Sequence, residues 1–124
     1  MKAWLGKSFV LIGAAHTVVG LVAGHTVLAQ MAREGLINTV VMQYDRNAVF
    51  WFLFTGFVLI LFGALVDWAE RAVGLLPRFL GPSMLALTIV GVVIMPQSGF
   101  WLLFVPSVGL LRWRPTADKS RSAP

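Results

Sequence analysis

Four apolar stretches take up most of this 124-residue chain and constrain its fold more than any other feature. They cover about residues 8–30, 48–67, 79–95 and 99–112. A helix of about 20 apolar residues crosses a hydrocarbon core about 30 Å thick, and helices satisfy their own backbone hydrogen bonds in lipid. The sequence therefore predicts an all-α, polytopic membrane protein: a four-transmembrane-helix bundle made of two hairpins.

The composition agrees with a membrane protein. Hydrophobic residues make up 58% of the chain and charged residues 12%, whereas about 25% of the residues in a soluble domain are charged. We expect one transmembrane domain over residues 1–114, followed by a disordered cytoplasmic tail over residues 115–124 that is rich in serine, proline and charge. The chain has no cysteine, which excludes disulfides and thiolate-ligated metal sites.

The basic residues predict the orientation in the membrane. Eight of the ten Lys and Arg residues lie before the first stretch, between the second and third stretches, or at and after the end of the fourth: Lys2, Lys7, Arg71, Arg78, Arg112, Arg114, Lys119 and Arg121. The connection between the first and second stretches holds only Arg33 and Arg46. Cytoplasmic flanks carry the excess of basic residues, so we expect both termini in the cytoplasm. Tryptophans favour the interfaces, and their positions agree: Trp4, Trp68 and Trp113 at the inner face, Trp51 and Trp101 at the outer face. We expect membrane lipids as partners and no nucleic acid.

The first stretch has an alternative interpretation as a secretory signal peptide, with Lys2 as its charged region and cleavage near residues 27–29. The apolar core of a signal peptide is about 7 to 15 residues long. Because this stretch is longer, a membrane span is favoured.

The longest connection, residues 32–47, mixes apolar and charged residues. Apolar side chains at positions 36, 37, 40 and 41 have helical spacing, which predicts an amphipathic helix lying on the outer membrane surface. The alternative is a loop whose apolar side chains fold back onto the spans.

Small residues form a stripe along the first stretch. On a helical wheel Gly13, Thr17, Gly20 and Gly24 fall within about 60° of one another, and such a stripe lets a neighbouring backbone approach closely. We predict that Gly13, Gly20 and Gly24 are a helix-packing face. A bundle this small has surface to spare beside such a face, so we expect a homo-oligomer.

Two histidines lie in the first stretch. An ionisable side chain at membrane depth is costly unless it finds a partner, which makes His16 a candidate functional residue. Alternatively, a neutral His16 imidazole hydrogen-bonds a carbonyl or hydroxyl across the bundle and joins two helices. His25 lies about 13 Å further along the helix, half a turn out of phase, so the two side chains cannot share one metal ion on a straight helix.

Three functions are compatible with these residues. The first is a non-enzymatic binding or accessory protein whose pocket holds an apolar ligand, a lipid or a quinone, lined by His16, Thr17, Trp51, Thr55 and Trp101. The second is a haem-binding or electron-transfer module, with His16 and His25 as candidate haem or metal ligands. The third is a small transporter or channel, which the absence of an acidic residue at membrane depth in the four stretches disfavours. An enzyme with His16 as general base is a further alternative, but the sequence identifies no nucleophile or acid partner for it, so we assign no catalytic residues and favour a non-enzymatic protein.

A charged cluster closes the second stretch. Asp67 and Glu70 are three residues apart, and Arg71 follows directly. Residues at this spacing share a helix face. An interfacial salt-bridge cap is favoured over a paired-carboxylate catalytic site, because charged residues are common at the ends of membrane spans.

Four segments taken together resemble a known family: residues 13–20 around His16, the aromatic residues 50–56, the acidic and Trp-containing residues 66–71, and residues 91–101. The family consists of small four-span bacterial membrane proteins catalogued only as a domain of unknown function. The resemblance implies a four-helix architecture and a multi-pass location in the bacterial cytoplasmic (inner) membrane. It implies no activity, and it makes His16 a more characteristic position than His25.

Overall fold

The computed structural model describes residues 3–115, and within that range the chain forms helices and connections but no strand. The five α-helices are α1 (Leu5–Ala23), α2 (His25–Arg33), α3 (Tyr44–Trp68), α4 (Leu80–Ile94) and α5 (Phe104–Arg112). A π-helical turn, Ala69–Val73, continues α3, and a 3₁₀-helix, Gly99–Leu103, leads into α5. The prediction of an all-α protein is confirmed. The predicted tail lies, apart from Pro115, outside the described residues.

The first apolar stretch forms two helices. Gly24 separates α1 from α2, with φ −90° and ψ 2°, and its backbone N–H donates to the carbonyl of Gly20 over 2.9 Å. Before this break, α1 is almost wholly apolar. After the break, α2 is mostly exposed and buries only Met31. The predicted single span over residues 8–30 is therefore divided near its C-terminal end.

Helices α1 and α3 are antiparallel and pack through glycines. A Cβ atom added to Gly13 would lie 2.9 Å from the backbone nitrogen of Ile60 and 3.0 Å from the carbonyl oxygen of Gly56. A Cβ on Gly63 of α3 would lie 2.6 Å from the backbone nitrogen of Val10. Real Cβ atoms would not fit at these distances, so this close packing is possible only because both residues are glycines. The two backbones therefore approach far more closely than helices faced with larger residues do.

Helices α4 and α5 form a second antiparallel hairpin. Gly81, near the start of α4, lies against the backbone of Leu110 and Leu111, near the end of α5. Gly109 in turn lies against the side chains of Trp4 and Leu5 at the start of α1. Thus α1 lies between α3 and α5, and the N-terminus of α1 is at the same end as the C-terminus of α5.

The buried core lies at that same end of the molecule. It joins α1, α3 and the second hairpin through five apolar side chains: Leu5, Phe9, Val66, Leu103 and Leu110. The rings of Phe9 and Phe62 meet edge to face, with their centroids 5.0 Å apart. Packing at this end therefore fixes how the second hairpin sits on the first pair of helices.

Two helical segments are long and apolar enough to cross a membrane, Leu5–Ala23 and Tyr44–Val73. The other two apolar segments, Leu80–Ile94 and Gly99–Arg112, are shorter. Two of the four predicted spans thus meet the length that a crossing needs.

The helix predicted over positions 36–41 does not form. Leu36, Asn38 and Met42 have left-handed φ angles of 65°, 59° and 60°, and Gly35 has φ 99°. A helix cannot continue through such residues. The alternative, a loop folded back onto the spans, also fails for its largest apolar side chains, because Ile37 and Met42 are 90% and 94% exposed.

Candidate functional site

His16 joins α1 to α3. Its Nε2 lies 3.0 Å from the backbone carbonyl oxygen of Phe52, and its ring stacks on the Phe52 ring with centroids 3.8 Å apart and planes 13° apart. A carbonyl oxygen only accepts, so Nε2 carries the proton and donates it, and in the neutral ring Nδ1 keeps a lone pair. This is the geometry of the interhelical hydrogen bond that the sequence offered as one alternative for His16.

Thr17 packs beside His16 against a glycine of α3. Its hydroxyl donates to the carbonyl of Gly13 over 2.8 Å. A Cβ added to Gly56 would collide with the Thr17 hydroxyl and lie 3.3 Å from Cδ2 of His16. The missing side chain of Gly56 therefore makes the room in which these two polar residues fit between the helices.

The other three residues of the predicted ligand pocket lie on the outside. Trp51 and Trp101 are 56% and 55% exposed. The exposed Thr55 donates its hydroxyl proton to the Trp51 carbonyl over 2.8 Å, and the Trp101 indole N–H donates to the Pro96 carbonyl over 2.8 Å. Of the five predicted residues, the structure packs His16 and Thr17 together between α1 and α3 and leaves the remaining three exposed.

His25 is exposed near the α1–α2 break. Its Nδ1 lies 2.8 Å from the carbonyl oxygen of Val22, and its Nε2 lies 3.2 Å from the hydroxyl of Thr26. Among residues 3–115, no three His, Asp or Glu side chains lie together as a metal-binding group. The haem and metal roles suggested for His16 and His25 stay predictions.

The predicted packing glycines all lie in contact with neighbouring atoms. Gly13 and Gly20 are buried in α1, and Gly24 is buried at its end. Added Cβ atoms would meet side chains of α3 at 2.7 Å for Gly20 and 2.8 Å for Gly24, those of Phe52 and Val49 respectively. Gly6, seven residues before Gly13, extends this face, and a Cβ atom added to Gly6 would collide with the backbone of α3.

The charged residues at the end of α3 make two separate interactions. Arg71 pairs with Asp67, with nitrogen–oxygen distances of 2.8 and 2.9 Å to the two carboxylate oxygens. Glu70 instead accepts a hydrogen bond from the backbone N–H of Gly6 over 3.0 Å. The first N–H groups of a helix have no partner within it. Glu70 therefore caps α1 across the helix pair, and its negative charge suits the positive end of the helix dipole.

A second ion pair, which the sequence did not suggest, closes the other end of the molecule. The guanidinium of Arg46, on the first turn of α3, donates to both carboxylate oxygens of Glu34 over 2.6 and 2.7 Å, and to the carbonyl of Thr39 over 2.9 Å. The Arg46 side chain is 6% exposed. This hydrogen bonding lowers the pKa of Glu34. The pair holds the left-handed connection in place.

An open groove of about 590 Å³ runs along one side of the α1–α3 pair, at the end where the charged cluster lies. Its apolar part is formed by Val10, Leu11 and Ala14 of α1 and by Ala64 of α3. Its charged end is formed by the remaining lining residues: Lys7, Asp67, Trp68 and Arg71. The groove is therefore apolar along its length and charged at one end.

The α1 lining residues follow helical spacing, at positions 7, 10, 11 and 14, and the α3 lining residues do so at 64, 67, 68 and 71. Both patterns are visible in the sequence. Sequence reasoning used Asp67 and Arg71 only as a cap and Lys7 only for orientation, because the antiparallel register that brings the two rows together is not visible in either helix alone.

These observations define the class of protein: an all-helical chain, with two helices long and apolar enough to cross a membrane, held together by glycine packing and an interhelical histidine. The chain belongs to a family of unknown function (DUF6463), whose model matches residues 1–117. This match confirms the resemblance to an uncharacterised family. No curated protein and no solved structure matches the chain.

Proposed function

We propose that this protein is an integral membrane protein that holds an anionic phospholipid in the groove between α1 and α3, as a non-enzymatic binding or accessory protein. The observation that carries the proposal is the form of the groove, which joins an apolar floor to a cationic end. An anionic phospholipid has the complementary form, because its apolar acyl chains are joined to a negatively charged headgroup.

The outer surfaces of the helices support the membrane location. Large apolar side chains on these helices are exposed, and four of them are 69% to 73% exposed: Leu11, Val22, Leu61 and Val93. Exposing such side chains to water costs about 25 cal/mol for each Å² of apolar surface. Exposed apolar side chains in such number mark contact with lipid or with another protein. In a bilayer the same side chains are favourably solvated.

The charges support the predicted orientation. Lys7, Arg71 and Arg112 are at the end of the molecule where the core and the groove lie. Basic residues accumulate on the cytoplasmic side of a membrane protein, so we place this end in the cytoplasm. The bacterial cytoplasmic membrane is implied by the family resemblance and belongs to the same proposal.

The groove suits a phospholipid better than a quinone. Lys7 and Arg71 carry two positive charges at its end, against the one negative charge of Asp67. A basic side chain near the membrane surface contributes about 1 kcal/mol to the attraction of anionic lipid. A quinone headgroup has no charge that this end would recognise. The acyl chain would lie along the small side chains of Ala14 and Ala64, parallel to the helices.

The test is native mass spectrometry of the purified protein in mild detergent, with phosphatidylglycerol or phosphatidylcholine added. We expect retained phosphatidylglycerol to exceed phosphatidylcholine, and Lys7→Gln to weaken phosphatidylglycerol retention about fivefold, the equivalent of about 1 kcal/mol. Arg78→Gln is the matched control, because Arg78 is an exposed basic residue that does not line the groove.

A second variant tests the apolar part of the groove. Ala14→Phe fills the floor with an aromatic ring and should reduce retention of both lipids without removing a charge. The proposal fails if the wild type retains the two lipids equally. It also fails if Lys7→Gln and Arg78→Gln weaken retention by the same factor, because the attraction would then come from overall charge alone.

The other predicted functions remain predictions that can be measured on the same sample. A pocket around His16, a haem group and a transport activity have no further observation in their favour. An absorbance spectrum of the wild type beside His16→Ala tests the haem hypothesis through its Soret band. The native mass tests the predicted homo-oligomer, and flux into liposomes at several pH values tests transport.

A further inference from the structure

We infer that α4 and α5 form a re-entrant hairpin. It enters the bilayer at the end of the molecule that carries Lys7 and Arg71, and it turns back near the centre of the bilayer. The sequence had predicted two full spans here. The inference rests on the membrane location proposed above but not on lipid binding in the groove. It concerns where the turn at Pro96, Gln97 and Ser98 lies along the axis of α1.

The contacts at the base of the hairpin fix its starting level. Gly109 of α5 lies against Leu5 at the start of α1, and Gly81 of α4 lies against Leu111 of α5. Both legs of the hairpin therefore begin level with the first turn of α1. That turn is the charged end of the molecule, where Glu70 caps α1.

The length of the legs fixes how far the hairpin reaches. From Gly109 to the end of the 3₁₀-helix, α5 rises about 8 Å at about 1.5 Å per residue. The 3₁₀-helix Gly99–Leu103 adds about 10 Å at about 2.0 Å per residue. Gly99, where the 3₁₀-helix begins, therefore lies at most about 18 Å above Leu5, level with His16 and Thr17, about 12 residues along α1, and the turn at residues 96–98 lies a few ångströms beyond Gly99. Any tilt of α5 would lower it.

The α1–α3 pair continues well beyond that level. The apolar part of α3, positions 48–66, is about 27 Å long, close to the thickness of a hydrocarbon core of about 30 Å. Its middle is position 57, and the neighbouring Gly56 lies against Thr17. The start of the 3₁₀-helix is thus level with the middle of the apolar segment, where a bilayer would have its centre, and the turn of the second hairpin lies near that centre.

The chemistry of the turn suits this depth. Residues 95–99 carry no charge. Ser98 donates from both its backbone N–H and its hydroxyl to the Met95 carbonyl, over 3.0 and 2.6 Å. The Ser98 hydroxyl oxygen accepts from the Phe100 N–H over 3.4 Å, and the Trp101 indole N–H donates to the Pro96 carbonyl. These bonds satisfy part of the polar backbone of the turn, and at membrane depth the rest has to be satisfied by protein or water around it.

The inference also changes the place of Trp101 and gives Gln97 an apolar environment. Trp101, which the sequence placed at the outer interface, lies next to the turn, and its indole N–H uses the turn itself as its partner. The exposed side chain of Gln97 lies at the tip of the hairpin. At the centre of a bilayer its amide needs water or a second protein surface as a partner.

Because the chain has no cysteine, single cysteines test the topology directly. The three variants are Gln97→Cys at the turn, Ile37→Cys in the connection between α2 and α3, and Leu75→Cys in the connection before α4. All three side chains are exposed, so these changes should not disturb folding. Each protein is placed in sealed vesicles of phosphatidylcholine and phosphatidylglycerol and treated with a membrane-impermeant maleimide from either side.

We expect Ile37→Cys to react from one side and Leu75→Cys from the other. We expect Gln97→Cys to react from the side of Ile37→Cys at least tenfold more slowly than Ile37→Cys does. Slow reaction from both sides, or reaction from the side of Leu75→Cys, supports re-entry. Reaction of Gln97→Cys at the rate and from the side of Ile37→Cys would show a full span and overturn the inference.

The controls separate this inference from the membrane proposal. If Ile37→Cys and Leu75→Cys react from the same side, α1 and α3 do not cross, and the proposed membrane arrangement fails first. A nitroxide attached at Gln97→Cys gives a second readout. It should collide more with oxygen than with a water-soluble nickel complex if the turn is at the bilayer centre, and the reverse result would overturn the inference.

Discussion

The substitution Gly13→Ala tests whether glycine packing holds α1 and α3 together. In the interior of a helix, replacing glycine by alanine normally stabilises by about 0.5 to 1 kcal/mol, because the unfolded chain loses freedom. At Gly13 the added Cβ would lie 2.9 Å from the Ile60 backbone nitrogen and 3.0 Å from the Gly56 carbonyl oxygen. Backbone atoms cannot rotate away, so the helices have to separate.

The size of the effect follows from that separation. Moving the contact from 2.9 Å to an ordinary 3.4 Å takes a shift of about 0.5 Å. A gap of this size removes about a quarter of the dispersion energy of each displaced contact. Overpacking of this kind costs about 1 to 3 kcal/mol. After the gain from alanine is subtracted, we expect Gly13→Ala to lower the free energy of unfolding by about 1 kcal/mol, the middle of the resulting range of about 0 to 2.5 kcal/mol.

The assay is equilibrium unfolding in mixed micelles of dodecyl maltoside and sodium dodecyl sulfate, followed by circular dichroism. Gly99→Ala is the matched control, because a Cβ there meets no atom within 4 Å. It should change the free energy of unfolding by less than about 0.5 kcal/mol. The reasoning would be refuted if Gly13→Ala left the protein as stable as the wild type or more stable, since the sign separates a clash from helix propensity.

Three further outcomes are expected. His16→Ala should lower the free energy of unfolding by about 2 kcal/mol and His16→Phe by about 1 kcal/mol in the same micelle assay, because phenylalanine keeps the stacking on Phe52 and loses only the hydrogen bond; equal losses would contradict this. The pKa of Glu34 is lowered from its ordinary value of 4.5 by hydrogen bonding to Arg46, so the ionised carboxylate stabilises the connection fully above about pH 4.5, and this is lost as the pH falls through the lower pKa. Hydrogen exchange in residues 34–43, corrected for the intrinsic exchange rate at each pH, should therefore rise on acidification, and Glu34→Gln should remove that pH dependence while raising exchange at neutral pH. Glu70→Gln should weaken the cap on α1 by about 0.5 to 1 kcal/mol, seen as faster exchange in its first turn, and unchanged exchange there would show that the cap contributes nothing.

Several element boundaries could be read from the sequence. The predicted stretches 48–67 and 79–95 correspond to α3 and α4, which run over Tyr44–Trp68 and Leu80–Ile94. Asp67 and Pro96 mark their ends because a charge leaves the apolar environment and a proline lacks the N–H of a continuing helix. The division of the first stretch at Gly24 was missed, since neither a charged residue nor a proline marks a helix end there.

Contacts that depend on pairing could not be predicted in the same way. The sequence identified His16 as important and named an interhelical hydrogen bond as one alternative, but the choice of Phe52 as its partner follows from the register of α1 against α3. The ion pair of Arg46 with Glu34 crosses a connection that the sequence predicted as a helix or a folded-back loop. Left-handed residues at positions such as Leu36 give no signal in a periodicity analysis.

The sequence by itself determined the class of structure: helices, their apolar character, the small-residue face of α1 and the positions of the charges. Those properties are local, because hydropathy and helix propensity depend on each segment alone. Only the tertiary structure decided how the helices are placed along one another. The register of α1 against α3 forms the groove, and the level of Gly109 against Leu5 sets how deep the second hairpin reaches. Such levels are set by which surfaces fit together across helices, and no single helix encodes them.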